Sequence, residues 1–270
     1  MEALRQVESW PAPFAAVAVL DRDGRELASH GDRGRAVRWA SVTKLVTAIA
    51  ALVAAEEGTI DLDEPAGPAG STVRHLLAHA SGLGFESGPA IARPGTRRIY
   101  SNAGFEALAE HVAARAEMPF GEYLAGAVLA PLAMGAELRG SPAHALHGTL
   151  DDLVAFAREL LAPRLVAPET LAEATTVAFP GLVGVLPDYG RMDPNDWGLG
   201  FEFRDAKEPH WTGRRNSPLT FGHFGASGTC LWVDPKAGLA CACLTDLEFG
   251  PWAKEAWPRL SDAILAEAGT

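Results

Sequence analysis

Strand-forming segments lie at the two ends of this 270-residue chain with helix-forming segments between them, and that arrangement restricts the fold more than any other feature. Near the N-terminus, FAAVAVL (14–20) and RELAS (25–29) flank the acidic-glycine turn DRDG and read as a β-hairpin. Strand character returns at 198–203, 220–224, 229–233 and 239–244, with a DPKAG turn joining the last two. A closing helix follows from Trp252 to Glu267. Between these ends, helical patterns broken by Pro and Gly occupy Ser71–Ala80, Ala103–Ala116, Phe120–Leu132 and Leu150–Leu161. Residues 179–196 (FPGLVGVLPDYGRMDPND) read as a long loop. The economical solution is an α/β (α+β) fold. One antiparallel sheet is built from both chain termini and flanked by helices, with an inserted, mostly helical lobe. A single domain over 1–270 is expected, with a sheet lobe at about 1–60 and 197–270 and a helical lobe at about 61–196.

Charge and cysteine usage exclude several function classes. A formal net charge of −11 disfavours a nucleic-acid partner, which needs a basic face. The acidic start (Glu2, Glu8), the interruptions at Pro11 and Pro13 and the end of the apolar run at Asp21 do not match a secretory leader. The apolar stretch Leu45–Ala55 is too short to span a bilayer, so neither a membrane anchor nor an extracellular home is expected, and the reading is cytoplasmic. Cys230, Cys241 and Cys243 are odd in number, and an i,i+2 disulfide within one strand is geometrically poor. They read as reduced core thiols. His75 and His79 imitate half a zinc-binding helix, but Leu76 stands where a zincin has its glutamate. They are read as structural, and no metal or cofactor is expected. Asp151-Asp152 and Asp61/Asp63 read as helix-start or turn carboxylates; Trp197 and Trp211 flank the lobe junction as candidate pocket walls, with Trp197 read as core in preference.

Lys44 is the local anomaly. Only four of the 23 Lys+Arg residues are lysines, yet one stands at the start of the most apolar helix, expected over about Val42–Glu57 with Gly58 as its stop. An amine there loses solvation, which lowers its pKa and makes the neutral form accessible. Ser41, three residues earlier, projects from the same face, near a helix N-terminus that favours developing negative charge on oxygen. This is the pattern of a serine nucleophile activated by an amine. Taken alone, the pair also suits a capping serine and a snorkelling lysine.

Two further motifs decide between these readings. Tyr100-Ser101-Asn102 follows a Pro-Gly turn and precedes a helix, which supplies a phenol able to relay protons and an amide able to orient a carbonyl. Near the C-terminus, FGHFGASG (221–228) is a glycine-flanked strand, where missing side chains allow close backbone approach by a ligand. A free N–H there, with that of Ser41, would form an oxyanion hole. In the order S-x-x-K, Y-x-N, H-x-G, the chain resembles the β-lactamase/transpeptidase-like superfamily, in particular class C β-lactamases, D-alanyl-D-alanine carboxypeptidases and related esterases. HLLAHASGL, APLAM, GTLDDLVAFARELL, WGLGF and the segment from Phe221 to Asp246 extend the resemblance over nearly the whole chain.

The resemblance implies Ser41 as acylated nucleophile, Lys44 as its proton acceptor and Tyr100 as acid/base for the leaving group and the deacylating water. It implies Asn102 against the substrate's carbonyl region, the backbone N–H groups of Ser41 and Ala226 on the oxyanion, and His223 and Gly225 lining the pocket. Penicillin-hydrolysing relatives carry Lys-Thr/Ser-Gly on the last strand. Here His223-Phe224-Gly225 has no hydroxyl and only a titratable cation. The chain is also compact for the family and has no counterpart of the class A deacylating glutamate. A small-molecule ester is therefore the expected substrate, with an amide, D-peptide or β-lactam as the alternative. A non-catalytic binding protein of the same fold is the alternative of another class.

Overall fold

Alternation along the terminal strands sets the architecture of the chain, whose computed structural model describes residues 1–269. In chain order the elements begin β1 (Ala15–Asp21), β2 (Glu26–His30), β3 (Val37–Arg38), α1 (Thr43–Glu56), α2 (Val73–Leu77), α3 (Asn102–Ala116) and α4 (Phe120–Leu124). They continue β4 (Glu137–Leu138), β5 (Leu146–Gly148), α5 (Leu150–Leu161), α6 (Pro168–Ala174), β6 (Gly184–Leu186) and β7 (Gly190–Met192). They end β8 (Glu202–Phe203), β9 (Phe221–Gly225), β10 (Thr229–Asp234), β11 (Leu239–Thr245) and α7 (Pro251–Glu267). Six strands form one antiparallel sheet in the order β2-β1-β11-β10-β9-β8, so the two chain ends meet where β1 pairs with β11.

Both faces of this sheet are covered, which is why its central strands are apolar nearly throughout. Ala16, Ala18 and Leu20 face one core together with Leu231, Val233, Ala240, Ala242 and Leu244. Val17 and Val19 face the other, with Cys230, Trp232, Cys241, Cys243 and the inner side of α7. All three thiols are free and buried. The first core holds α1, whose residues Thr43 to Ala54 are all buried. Such a helix has no solvent face, and each fully buried Leu or Ile on it contributes about 1.5–3 kcal/mol. It stops at Gly58, whose left-handed φ of 75° suits a residue without a side chain. The same core receives α5, which comes from the middle of the chain and packs on β1, β10 and β11. No helix among the described residues is long and apolar enough to cross a membrane.

Several sequence expectations need correction. Residues 179–196 are not a plain loop: β6 and β7 form a hairpin within them. The expected helix Ser71–Ala80 is helical only over Val73–Leu77. The expected strand at 198–203 is reduced to Glu202–Phe203. A 3-10 turn at Glu2–Ser9 and a small sheet, β3-β5-β4, went unanticipated. Strands of two or three residues carry too little pattern to be read.

The edge strand β8 is fixed by a buried charge cluster. Glu202 accepts hydrogen bonds from Lys207 Nζ, His210 Nε2 and Trp211 Nε1 (2.7 Å for the last). Burial alone would raise its carboxyl, but Lys207 and His210 overcome this and hold it at about 2. Glu202→Ala is expected to cost roughly 3–5 kcal/mol, because it strands a buried ammonium. A folded pKa below the unfolded one means that this stability is present above about 4.5 and lost as pH falls towards 2. Denaturant titrations at pH 7 and pH 3 check both points. An unchanged midpoint at pH 7 would remove the cluster from the stability of this edge.

Candidate active site

The turn before α1 is held from two sides. Trp39 N–H donates to Leu146 O at 2.8 Å, which ties it to β5. Thr229 Oγ donates to Trp39 O at 2.7 Å and Ser227 Oγ to Arg38 O at 2.6 Å, which ties it to the β9–β10 turn. Ala40, squeezed between, takes a left-handed φ of 45°, a costly conformation for a residue with a side chain. The next residue is Ser41.

Gly225 explains how β9 reaches this turn. A Cβ there would sit 2.4 Å from Trp39 O and 3.1 Å from the Ala40 side chain. The glycine expected to admit a ligand therefore first admits the serine's own backbone. The N–H groups of Ser41 and Ala226 take no hydrogen-bond partner among the described residues, and Ala226 is exposed. Both N–H groups are thus left without a protein acceptor among the described residues.

Lys44 is fully buried one turn further on, and desolvation pulls its amine down to about 7, against the opposing pull of Glu106 and Glu86. Nζ donates to Asn102 Oδ1 at 2.7 Å and to Ala143 O at 2.9 Å, rather than to Ser41. It also lies 4.8 Å from the centre of the Tyr100 ring. Burial raises the Tyr100 phenol, which stays protonated, while a hydrogen bond with Ser41 opposes that rise. Asn102 opens α3, and its oxygen is committed to Lys44, so only its amide hydrogens remain for a substrate carbonyl.

His223 departs from the sequence expectation of a titratable cation. The N–H of Phe224 donates to its Nδ1 at 2.8 Å, and its Nε2 lies 3.0 Å from Tyr100 Oη. Desolvation, with Lys44 adding to it, depresses the imidazole to about 3. An acceptor Nδ1 in a neutral ring puts the proton on Nε2, so His223 donates to the Tyr100 oxygen. Phe224 points to the opposite face and packs against Tyr189, Phe249 and Trp257. The structure thus brings Ser41, Lys44, Tyr100, Asn102, His223, Gly225 and Ala226 to one place.

Sequence reasoning missed the support behind this site. His79 accepts the Ser101 N–H on Nδ1 at 3.1 Å and the Ile99 N–H on its carbonyl at 2.8 Å, so it grips the chain on both sides of Tyr100. The His75/His79 spacing hid this, because it suggests a metal or nothing. His75 instead meets Thr72 and stacks on Phe179. Trp197, read as core, is buried and edge-on to both His79 and His223, forming the floor of the site. Arg98 is a buried strut whose guanidinium donates to the carbonyls of Ala78, Ala178, Phe179 and Asn195. No signal in the sequence distinguishes it from its surface neighbours Arg93 and Arg97. Among the described residues no cluster of three His, Cys, Asp or Glu could hold a metal.

Comparisons with known proteins bear on the family and the fold. The family model Beta-lactamase matches residues 12–265. A crystal structure described as a beta-lactamase from Mycobacterium bovis is 55% identical, with a TM-score of 0.97 over 99% of this chain and 100% of that one. More remote are EstCE1, a hydrolase with promiscuous acyltransferase activity, and simvastatin synthase from Aspergillus terreus. They share 18% and 20% identity, each with a TM-score of 0.78 over 98% of this chain and 97% of theirs, and show likeness of fold alone. A search of curated proteins found no match.

Proposed function

This chain belongs to the Beta-lactamase family of serine hydrolases, and from that premise we propose that it cleaves small esters through an acyl-enzyme on Ser41. The neutral Lys44 amine has two N–H bonds, and Asn102 and Ala143 supply two acceptors. Its lone pair is thereby left to take the Ser41 proton as Oγ attacks the carbonyl carbon. The N–H groups of Ser41 and Ala226 stabilise the oxyanion. As the bond to the alcohol oxygen breaks, Tyr100 delivers a proton to that oxygen and is replenished from Lys44. Both residues therefore end the half-reaction as they began. His223, donating to the Tyr100 oxygen, supports the transient negative charge there. Water then takes the place of the alcohol, with the same proton path reversed.

One observation carries the ester reading. Beside Ser41, β9 and the turn into β10 offer neither a cation nor a free hydroxyl for a substrate carboxylate. His223 is neutral, and the Ser227 and Thr229 hydroxyls already donate to Arg38 and Trp39. A charge-assisted hydrogen bond is worth about 1.5–3 kcal/mol, so its absence should cost a β-lactam roughly 10- to 100-fold. A second reading, β-lactam hydrolysis, is favoured by the description of the 55% identical M. bovis protein as a beta-lactamase. The test is kcat/KM for p-nitrophenyl acetate and for a chromogenic cephalosporin under identical conditions. The expected result is measurable ester turnover with much poorer cephalosporin turnover. Efficient cephalosporin hydrolysis with negligible ester cleavage would overturn the ester reading in favour of the second.

A further inference from the structure

A groove of about 560 Å³ begins at the ring of Tyr100 and runs between residues 85–99 and the β6–β7 hairpin, a size suited to a small organic ligand. Its walls are unusually apolar for exposed surface. Phe85, Ile91 and Val185 are 52%, 69% and 58% exposed, and all three line it. Half of the large exposed apolar side chains among the described residues therefore gather in one place, a pattern that marks a binding surface.

The walls are also tied to the candidate catalytic residues. Phe85 O accepts the N–H groups of Asn102 and Ala103, and Ser101 Oγ donates to Gly84 O. On the other side, Arg98 N–H donates to Val183 O at 3.0 Å, and its guanidinium anchors the segments leading into and out of the hairpin. The groove is built onto the Y-x-N segment from both sides.

Charge at the rim is asymmetric. Arg191 is paired with Asp193 at 2.8 Å, whereas Arg97 makes no ion pair among the described residues. In a chain of net charge −11, an unpaired arginine beside an apolar groove points to an anionic end on whatever lies in it.

We propose that this groove is the subsite for the alcohol arm of the substrate, and that this arm is an apolar chain carrying an anionic group at its far end. The assignment rests on the Ser41–Tyr100 reading. The alcohol oxygen must reach Tyr100 Oη for its proton, while the carbonyl oxygen turns towards Ser41 and Ala226 on the β9 side. The substituent on the alcohol oxygen is therefore the part of the substrate that passes Tyr100 into the groove. The anionic group lies at the rim, away from Ser41, so its recognition is separate from the missing carboxylate site on β9.

Acetate esters of methanol, butanol, hexanol and 6-hydroxyhexanoate test this against methyl esters of butyrate and hexanoate, with fluorophosphonate labelling of Ser41 as an independent readout. Lengthening the alcohol should raise kcat/KM by up to roughly fourfold per methylene, and lengthening the acyl group should not. The carboxylate-ended alcohol should gain a further two- to fivefold, removed by Arg97→Glu. Val185→Asp should flatten the alcohol-length series. A preference that follows the acyl arm, or a length series untouched by Val185→Asp, would overturn the groove assignment while labelling persists. So would a concentration-dependent dimer dispersed by Val185→Asp, which would place a second copy in the groove. Absence of labelling in the wild type would instead overturn the catalytic reading beneath it.

Discussion

Ser41→Ala is expected to abolish fluorophosphonate labelling and to lower ester turnover by roughly 10³-fold or more, with the protein still folded. The argument for survival of the fold is structural. The turn carrying Ser41 is held through Trp39 and Arg38 by Leu146, Thr229 and Ser227, and none of these bonds uses the Ser41 hydroxyl. The alanine variant keeps its backbone N–H, so both N–H groups proposed for the oxyanion remain, and substrate binding should be weakened far less than the chemical step. Only the bond between the Ser41 and Tyr100 hydroxyls disappears. Mass spectrometry of the labelled protein, with kcat and KM measured separately, checks both halves. Undiminished labelling of the variant would show that another serine is acylated.

The readable and unreadable parts of this site differ in physical kind. Lys44 was legible because a charged side chain in an otherwise apolar helix is an electrostatic contradiction that only burial or function resolves. The main strands were legible because FAAVAVL, TCLWVD and LACACLT hold enough residues to show a sheet buried on both faces. What could not be read depends on chain closure. Ala143 offers a carbonyl to Lys44, and a backbone oxygen leaves no mark on side-chain identity. The neutrality of His223 follows from its enclosure and the Phe224 N–H, neither of which is written in His-Phe-Gly. The hairpin of β6 and β7 was hidden because GVL and GRM are three-residue strands around a Pro-containing turn. Gly225 was singled out for the correct property and given an incomplete reason, since the backbone that approaches it belongs to Trp39 and Ala40.

Lys44→Arg is expected to lower acylation by about 10²- to 10⁴-fold, the range supplied by a positioned general base, because guanidinium does not deprotonate in a protein. The wild-type enzyme carries the complementary signature in its pH profile. Desolvation brings Lys44 down to about 7 from 10.5, so the neutral amine becomes the major form above pH 7. The acylation rate should therefore rise with pH through about 7 and level off, with Tyr100 remaining a neutral phenol throughout because its own burial pushes its pKa up. Stability should move in the same direction. Between about 7 and 10.5 the unfolded chain holds the proton and the folded chain does not, so unfolding takes up a proton and the folded state gains as pH rises. Lys44→Met separates the two effects. It should be as inactive as the arginine variant, yet at pH 6 it should be more stable than the wild type, because it removes the cost of enclosing a charge among Tyr100, Phe105 and Asn102. Stopped-flow acylation across pH 5–9 and denaturant midpoints at pH 6 and 9 provide the measurements. A pH-independent acylation rate, or an arginine variant with near-wild-type activity, would remove Lys44 from the role of base.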